Sequence, residues 1–233
     1  MNRVALIADL HGNLPALEAL EQDLNRRGLR EIWCLGDIVG KGPSSPETFD
    51  WAMAHCSVVL RGNWDEGIGR KLFPADQFYY DQLGPERMKR LIELPQEHHT
   101  VIGGKRVRLL HGRPIMPSLV SAHDSIDKLM WLFRPDFDIV GYADIHHPEL
   151  RPFRDGKIIF SIGSVGNSLS SLPCVQYSIL SWEENGAADI IYCFVPYDNA
   201  RAVRDAEAVE LPRRDAWIQE VTTGVYGRAK KQS

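Results

Sequence analysis

Seven residues with the chemistry of metal ligands stand at the ends of short apolar runs: Asp9 and His11, Asp37, Asn63, His111, and Asp144 with His146. Carboxylate oxygens, imidazole nitrogens and an amide oxygen suit a borderline or hard divalent cation such as manganese, iron, zinc or nickel. One carboxylate can bridge two such ions. Each fragment alone says little, because Asp-x-His, Gly-Asp and Gly-Asn arise at ordinary turns and caps. Five fragments in order, each after a strand-like run, point to one site. In open α/β sheets the carboxyl ends of strands line the crevice where ligands bind, so residues distant in sequence meet there.

The elements that must carry these residues are legible in outline. Residues 3–8 read as a strand; Asn13 and Pro15 supply a cap and a first-turn proline, and Leu17, Leu20 and Leu24 share one face of the helix that Gly28 stops. A strand at 32–35, a helix at 46–55 and a strand at 57–60 complete a βαβαβ opening, which predicts an α/β fold with parallel strands in its first half. Residues 66–99 read as a helical excursion over the sheet, clearest at 85–94 with Met88, Leu91, Ile92 and Leu94. Gly103 and Gly104 join strands at 100–102 and 105–110, the second ending at His111. A helix is expected at 124–133 and strands at 138–142, 157–162, 175–182 and 188–195, the last two joined by Glu184, Asn185 and Gly186. Helices at 198–209 and 213–221 close the chain, read here as one domain over 1–233.

Composition sets the boundaries. A chain of 233 residues with 44% hydrophobic content can bury a full core in one domain. No window reaches the roughly 18 apolar residues of a membrane span, and the strand-like start does not read as an export signal, so no membrane partner and a cytoplasmic location are expected. Cys34, Cys56, Cys174 and Cys193 form no C-x-x-C pair and read as free thiols in a reducing compartment. A net charge of −4 makes long nucleic acid an unsuitable partner, although bound cations would reverse the local sign at a carboxylate-rich site. Arg228, Lys230 and Lys231 read as a solvated end. No G-x-x-x-x-G-K-[ST] loop occurs, and Ser164, within Gly-Ser-Val-Gly, lacks the G-x-S-x-G elbow and reads as a turn residue. His98 and His99 read as solvated, His55 and His123 as helix-terminal, and His147 as facing away from His146 if that segment is extended.

The order Asp9-x-His11, Gly36-Asp37-Ile38-Val39-Gly40, Gly62-Asn63-Trp64-Asp65, His111-Gly112, Asp144-x-His146 resembles the calcineurin-like metallophosphoesterases, in particular their small bacterial branch. The resemblance covers nearly the whole chain and extends to the helix running into Leu94-Pro95, the Gly163-Ser164-Val165-Gly166 turn and the Val195-Pro196-Tyr197-Asp198 junction. It implies a four-layer α/β architecture, a β-sandwich flanked by helices. It also implies two metal ions, divalent or trivalent: Asp9, His11, Asp37 and His146 would hold one, and Asp37, Asn63, His111 and Asp144 the other. Asp37 would bridge them.

Two departures stand out. The family has His where this chain has Trp64, and the Gly-His-x-His motif appears as Ala143-Asp144-Ile145-His146. A rival register would place Gly141 on that motif's glycine and leave His146 out; Pro148 favours the first. The extra carboxylate favours manganese or iron, with zinc or nickel as alternatives. Catalytic assistance is expected from Asp65, Trp64 and Arg61, with Arg61 and Arg113 as candidates to grip phosphate. The expected activity is hydrolysis of phosphodiester or phosphoanhydride bonds in a phosphorylated small molecule or nucleotide, dinucleoside polyphosphates included. Phosphomonoesterase or protein phosphatase action is the enzymatic alternative, and a non-catalytic scaffold, as in the retromer subunit of this fold, is the other; a homo-oligomer is left open.

Overall fold

Strand β1 (Asn2–Ile7) is apolar on both faces because it lies at the centre of the molecule: Val4 and Leu6 turn one way and Ala5 and Ile7 the other, all fully buried. The computed structural model describes residues 2–184, 186 and 188–227. From β1 the chain passes through α1 (Leu14–Arg27), β2 (Ile32–Cys34), α2 (Ser45–His55) and β3 (Val58–Val59), then α3 (Asn63–Gly69) and α4 (Gln77–Glu93). Next come β4 (Glu97–Ile102), β5 (Lys105–Leu110), α5 (Ile126–Leu129), β6 (Ile139–Tyr142), β7 (Pro148–Pro152) and β8 (Ile158–Ile162). Strands β9 (Val175–Trp182) and β10 (Ala188–Val195) and helices α6 (Asn199–Glu207) and α7 (Arg214–Thr223) follow.

The strands form two mixed five-stranded sheets, ordered β10-β9-β1-β2-β3 and β4-β5-β6-β8-β7. As the βαβαβ pattern predicts, β1, β2 and β3 are parallel; β9 then returns antiparallel beside β1. Val4, Leu6 and Leu180 of the first sheet pack against Val107, Leu109, Ile139 and Phe160 of the second. Ala5 and Ile7 pack outward with Leu17, Leu20 and Leu24 of α1 and with Trp217 of α7. The outer face of the second sheet, through Val140, Tyr142 and Ile159, meets Met116, Leu129, Leu132 and Phe133. The result is two sheets flanked by helices, the α/β architecture the resemblance implies.

Local signals act as read for α1: Asn13 Oδ1 accepts from the Ala16 amide at 3.2 Å, and Gly28 takes the left-handed conformation at φ 64°. One expectation is corrected, one is extended and one strand is new. The segment 124–133 is not one helix but the four-residue α5 followed by a 3₁₀ turn, Met130–Phe133. The helix expected at 85–94 is the second half of α4, which is interrupted at Gly84 (φ 67°, ψ 173°) ahead of Pro85. Strand β7 was not anticipated; its terminal prolines, Pro148 and Pro152, suit its place at a sheet edge, where a missing donor is tolerated. No helix among the described residues is long and apolar enough to cross a membrane. Arg228, Lys230, Lys231 and Asn185 lie outside the described residues.

Candidate metal centre

The loops after β1, β2, β3, β5 and β6 converge. Leu35 donates to the Ile7 carbonyl at 2.7 Å, carrying the β1–β2 pairing to its end, and Asp9 N and His11 N then bond Gly36 O and Asp37 O at 2.9 and 3.2 Å. Ala143 N bonds His111 O at 2.7 Å, which fastens the loop after β6 to the loop after β5. Asp65 organises the second motif: its carboxylate accepts from the amides of Asp37 (2.8 Å), Ile38 (2.9 Å) and Gly62 (2.9 Å). Burial and the nearby Asp37 carboxylate push the Asp65 carboxyl up to about 7, against the pull of those amides. Asp65 therefore positions Asp37 and does not border the cavity described below.

The ligand candidates meet at short range. His146 Nε2 lies 3.4 Å, His11 Nε2 3.7 Å and His111 Nε2 3.9 Å from Asp9 Oδ1. Asp37 Oδ2 lies between two of these histidines, 3.5 Å from His11 Nε2 and 3.3 Å from His111 Nε2. Two groups could each hold an ion: Asp9, His11 and His146, and Asp9, Asp37 and His111, with ligand atoms within 4.8 Å of one another in each. Asp9 thus belongs to both, and Asp37 reaches histidines of both.

Each histidine is oriented by a main-chain carbonyl on its other nitrogen: Val39 O at 3.2 Å from His11 Nδ1, Leu35 O at 3.0 Å from His111 Nδ1, and Asn167 O at 2.6 Å from His146 Nδ1. A carbonyl can only accept, so Nδ1 carries a proton and Nε2 is the nitrogen turned to the centre, the one whose lone pair a cation would take. Yet both Asp9 oxygens, His11 Nε2, His111 Nε2 and Asn63 Oδ1 are shielded from solvent and make no hydrogen bond among the described residues. Buried polar atoms without partners are costly, and here those of Asp9, His11 and His111 lie together, with Asn63 lining the cavity beside them. Cations fit this donor set; an apolar or anionic group does not.

Electrostatics agree. Burial raises the Asp9 carboxyl well above its usual range, and Asp37 adds to it, against the downward pull of His111 and Lys41. His11 and His146 are held well below theirs by burial and by the Lys41 ammonium. For His111 burial acts downward, but the Asp37, Asp9 and Asp144 carboxylates carry it up to about 10.

Backbone strain marks the same residues. Nine non-glycine residues among those described have positive φ, and six are Asp9, His11, Asp37, Lys41, Asp144 and His146. The left-handed region costs an L-residue roughly 1–2 kcal/mol, and such strain collects at functional sites. Lys41, which the motifs do not mark, belongs to this set. Its Nζ, 4% exposed as a residue, lies 3.2 Å from His146 Nε2 and 2.9 Å from Asn167 Oδ1. Only its place just after Gly36–Gly40 could have singled it out.

The comparisons with known proteins bear on this geometry. Residues 2–191 match the family model described as calcineurin-like phosphoesterase. The chain belongs to the calcineurin-like phosphoesterases. It is 27% identical over 251 residues to the uncharacterized protein MJ0912 of Methanocaldococcus jannaschii, an alignment covering 93% of this chain and 96% of that protein. In structure it is similar to a metallophosphoesterase from Sphaerobacter thermophilus (TM-score 0.80, 22% identity, 96% of this chain and all of that one). It is also similar to the hypothetical protein PH1004 from Pyrococcus horikoshii (TM-score 0.79, 21% identity, 97% of this chain and all of that one).

A cavity of about 660 Å³ opens on this cluster, lined by Asp37, Asn63, Asp144 and His146, by the cations Lys41, Arg113 and Arg213, and by Trp64, Phe73, Leu119 and Tyr226. Trp64 stands edge-on to His11, with ring centroids 5.8 Å apart. Arg113 holds Asp144, and Asp144 Oδ1 is 4.0 Å from His111 Nε2. Arg61 does not border the cavity: its guanidinium donates to Ile92 O and lies 3.7 Å from Glu66. Arg61, expected to grip phosphate, thus points away from the cavity, whereas Lys41 and Arg113 line it. His98 and His99 lie in β4, against Trp33 and Glu97. His147 bonds Glu149 at 3.0 Å yet also borders the cavity, because residues 144–147 bend and strand alternation does not apply. Ser164 Oγ accepts from Asn167 N at 3.0 Å inside its turn.

Proposed function

We propose that this phosphoesterase hydrolyses phosphodiester or phosphoanhydride bonds of small phosphorylated molecules, nucleotides among them, with two metal ions at the centre described. The observation that carries the reading is the set of buried ligand atoms on Asp9, His11 and His111 that make no hydrogen bond among the described residues and lie together, beside a cavity that Asn63 and the cations Lys41, Arg113 and Arg213 line. Asp9, His11, Asp37 and His146 would hold one ion, and Asp37, Asn63 and His111 the other, with Asp144 at its edge. Ions held there would supply Lewis acidity and a water acidic enough, with a pKa of about 7, to serve as nucleophile near neutrality.

The chain's own residues do the rest. Val39, Leu35 and Asn167 carbonyls fix the imidazole tautomers, and Asp65 fixes the loop that presents Asp37. Lys41 and Arg113 offer charged donors to phosphate oxygens, a stronger contact than a neutral donor makes. Trp64 stands where the family has His. Its indole N–H donates but does not titrate near neutrality, so it cannot protonate a leaving group. This supports substrates whose leaving group is already a weak base, an activated ester or a nucleoside phosphate, over alkyl phosphomonoesters. The largely apolar wall of Trp64, Phe73, Leu119 and Tyr226 suits an aromatic leaving group or a nucleobase. Retention of the donor set supports catalysis over pure scaffolding.

The test is metal analysis of protein purified without added metal, then a hydrolysis screen over monoesters, diesters and dinucleoside polyphosphates with manganese, iron, zinc and nickel. The expected result is bound metal, diester or anhydride turnover, and loss of both in Asp37→Ala, with Asn63→Ala losing part of the metal. Full occupancy and undiminished turnover in Asp37→Ala would sink the assignment.

A further inference from the structure

We infer that Lys41 competes with a metal ion for the Nε2 lone pair of His146, so that the two metal positions differ in affinity and a phosphate that draws Lys41 away tightens the weaker one. The inference rests on the two-metal reading above and adds a coupling between substrate and metal that the reading does not contain.

The argument begins with donors and acceptors. An ammonium can only donate. With Nδ1 of His146 donating to Asn167 O, the atom 3.2 Å from Lys41 Nζ is an acceptor with one lone pair, and a metal bond needs that same pair. Lys41 and a cation cannot both use it. No ammonium hydrogen-bonds Nε2 of His11 or His111 among the described residues. The handicap therefore falls on the position that needs His146.

The ammonium is held in place by a built contact and not by chance. Asn167 Oδ1 is its second acceptor at 2.9 Å, and the Asn167 amide nitrogen donates to Glu220 Oε2 at 3.0 Å. Glu220, in α7, is fully buried. Asn167 so serves the centre twice, orienting the His146 ring through its carbonyl and Lys41 through its side chain. Lys41 also holds a left-handed backbone at φ 58°. A phosphate in the cavity that Lys41 lines is a stronger acceptor than neutral imidazole, and movement of Nζ onto it frees Nε2. Linkage makes the effect reciprocal: metal at His146 must tighten phosphate by the same factor. A hydrogen bond from a charged donor sets the scale at roughly tenfold to a hundredfold in metal affinity.

Calorimetric titration of metal-stripped protein with Mn²⁺ tests this, with and without inorganic phosphate, on wild type, Lys41→Met and His146→Ala. Wild type should show two events about tenfold or more apart, the weaker absent in His146→Ala and strengthened by phosphate. Lys41→Met should bring the two events together and abolish the phosphate effect. Two equal events in wild type, unchanged by Lys41→Met, would overturn the inference and leave the two-metal reading standing. Absence of Mn²⁺ binding to any of the proteins overturns both. Should Lys41→Met lose its circular dichroism signature of folding, the wild-type comparison decides: a weaker event that phosphate does not strengthen overturns the proposal.

Discussion

Arg113 and Asp144 are joined at three points: Nε to Oδ2 at 2.8 Å, Nη2 to Oδ1 at 2.6 Å, and the Arg113 amide to Oδ2 at 3.0 Å. Burial alone would raise the Asp144 carboxyl, but Arg113 holds it below the usual carboxylate range. The carboxylate that replaces a family imidazole therefore comes with its own counter-ion.

Arg113→Ala is expected to separate metal binding from substrate binding. Asp144 would lose its clamp and become more available as a ligand, so metal content should hold or rise. Loss of a charged phosphate donor should raise KM by about tenfold to a hundredfold. Elemental analysis and steady-state kinetics on one diester check this. A parallel loss of metal would show Arg113 to be needed for the centre itself.

Trp64→His should restore a titratable group beside the centre. Rates of the native protein are expected to fall steeply as leaving-group pKa rises, and the slope to flatten in Trp64→His, with alkyl esters gaining about 10²- to 10⁴-fold. A leaving-group series on both proteins measures it. Unchanged slopes would make Trp64 a packing residue against His11 and Tyr79, its two edge-on neighbours.

Gly62→Ala should empty the centre without replacing any of its candidate ligands. A Cβ there would stand 2.1 Å from Asp37 Oδ1 and 2.6 Å from Asp37 N, closer than any real contact. The Asp37 carboxylate must move, and bound metal should fall together with activity; a variant with native metal content would show that this loop adapts.

Asp23→Asn probes stability away from the centre. Asp23 accepts from Tyr177 Oη at 2.6 Å and Arg27 Nε at 2.8 Å, and also from Arg26, tying α1 to β9. Burial works against its charge, but these donors hold the carboxyl below its usual value. A lowered folded-state pKa contributes stability above the unfolded value of about 3.9, and that stability is lost as pH falls through the folded value. Asp23→Asn should thus cost about 1–3 kcal/mol at pH 7, with the gap from wild type closing in acid. Urea titrations at pH 7 and pH 3 would show whether it does.

The sequence by itself determined the elements with local causes and the residues with motif neighbours. A short apolar run made β1 recognisable, Asn13 and Gly28 bounded α1, and the strand-end fragments pointed to candidate ligands, of which Asp9, His11, Asp37, His111 and His146 meet in the fold. Where local preference was weak, the outcome depended on distant partners. Strand β7, bounded by prolines, exists because β8 supplies its hydrogen bonds, and the 124–133 segment shortens where it packs beneath Val140 and Tyr142. Only the tertiary structure turned Arg61 towards Ile92, set Lys41 against His146 and paired Arg113 with Asp144. Residues 41 and 146 are 105 positions apart, and no periodicity or spacing encodes a contact between them. An arginine or lysine beside a motif has a long flexible stem, so the position of its charge is decided by which acceptors the folded chain offers and not by its place in the sequence.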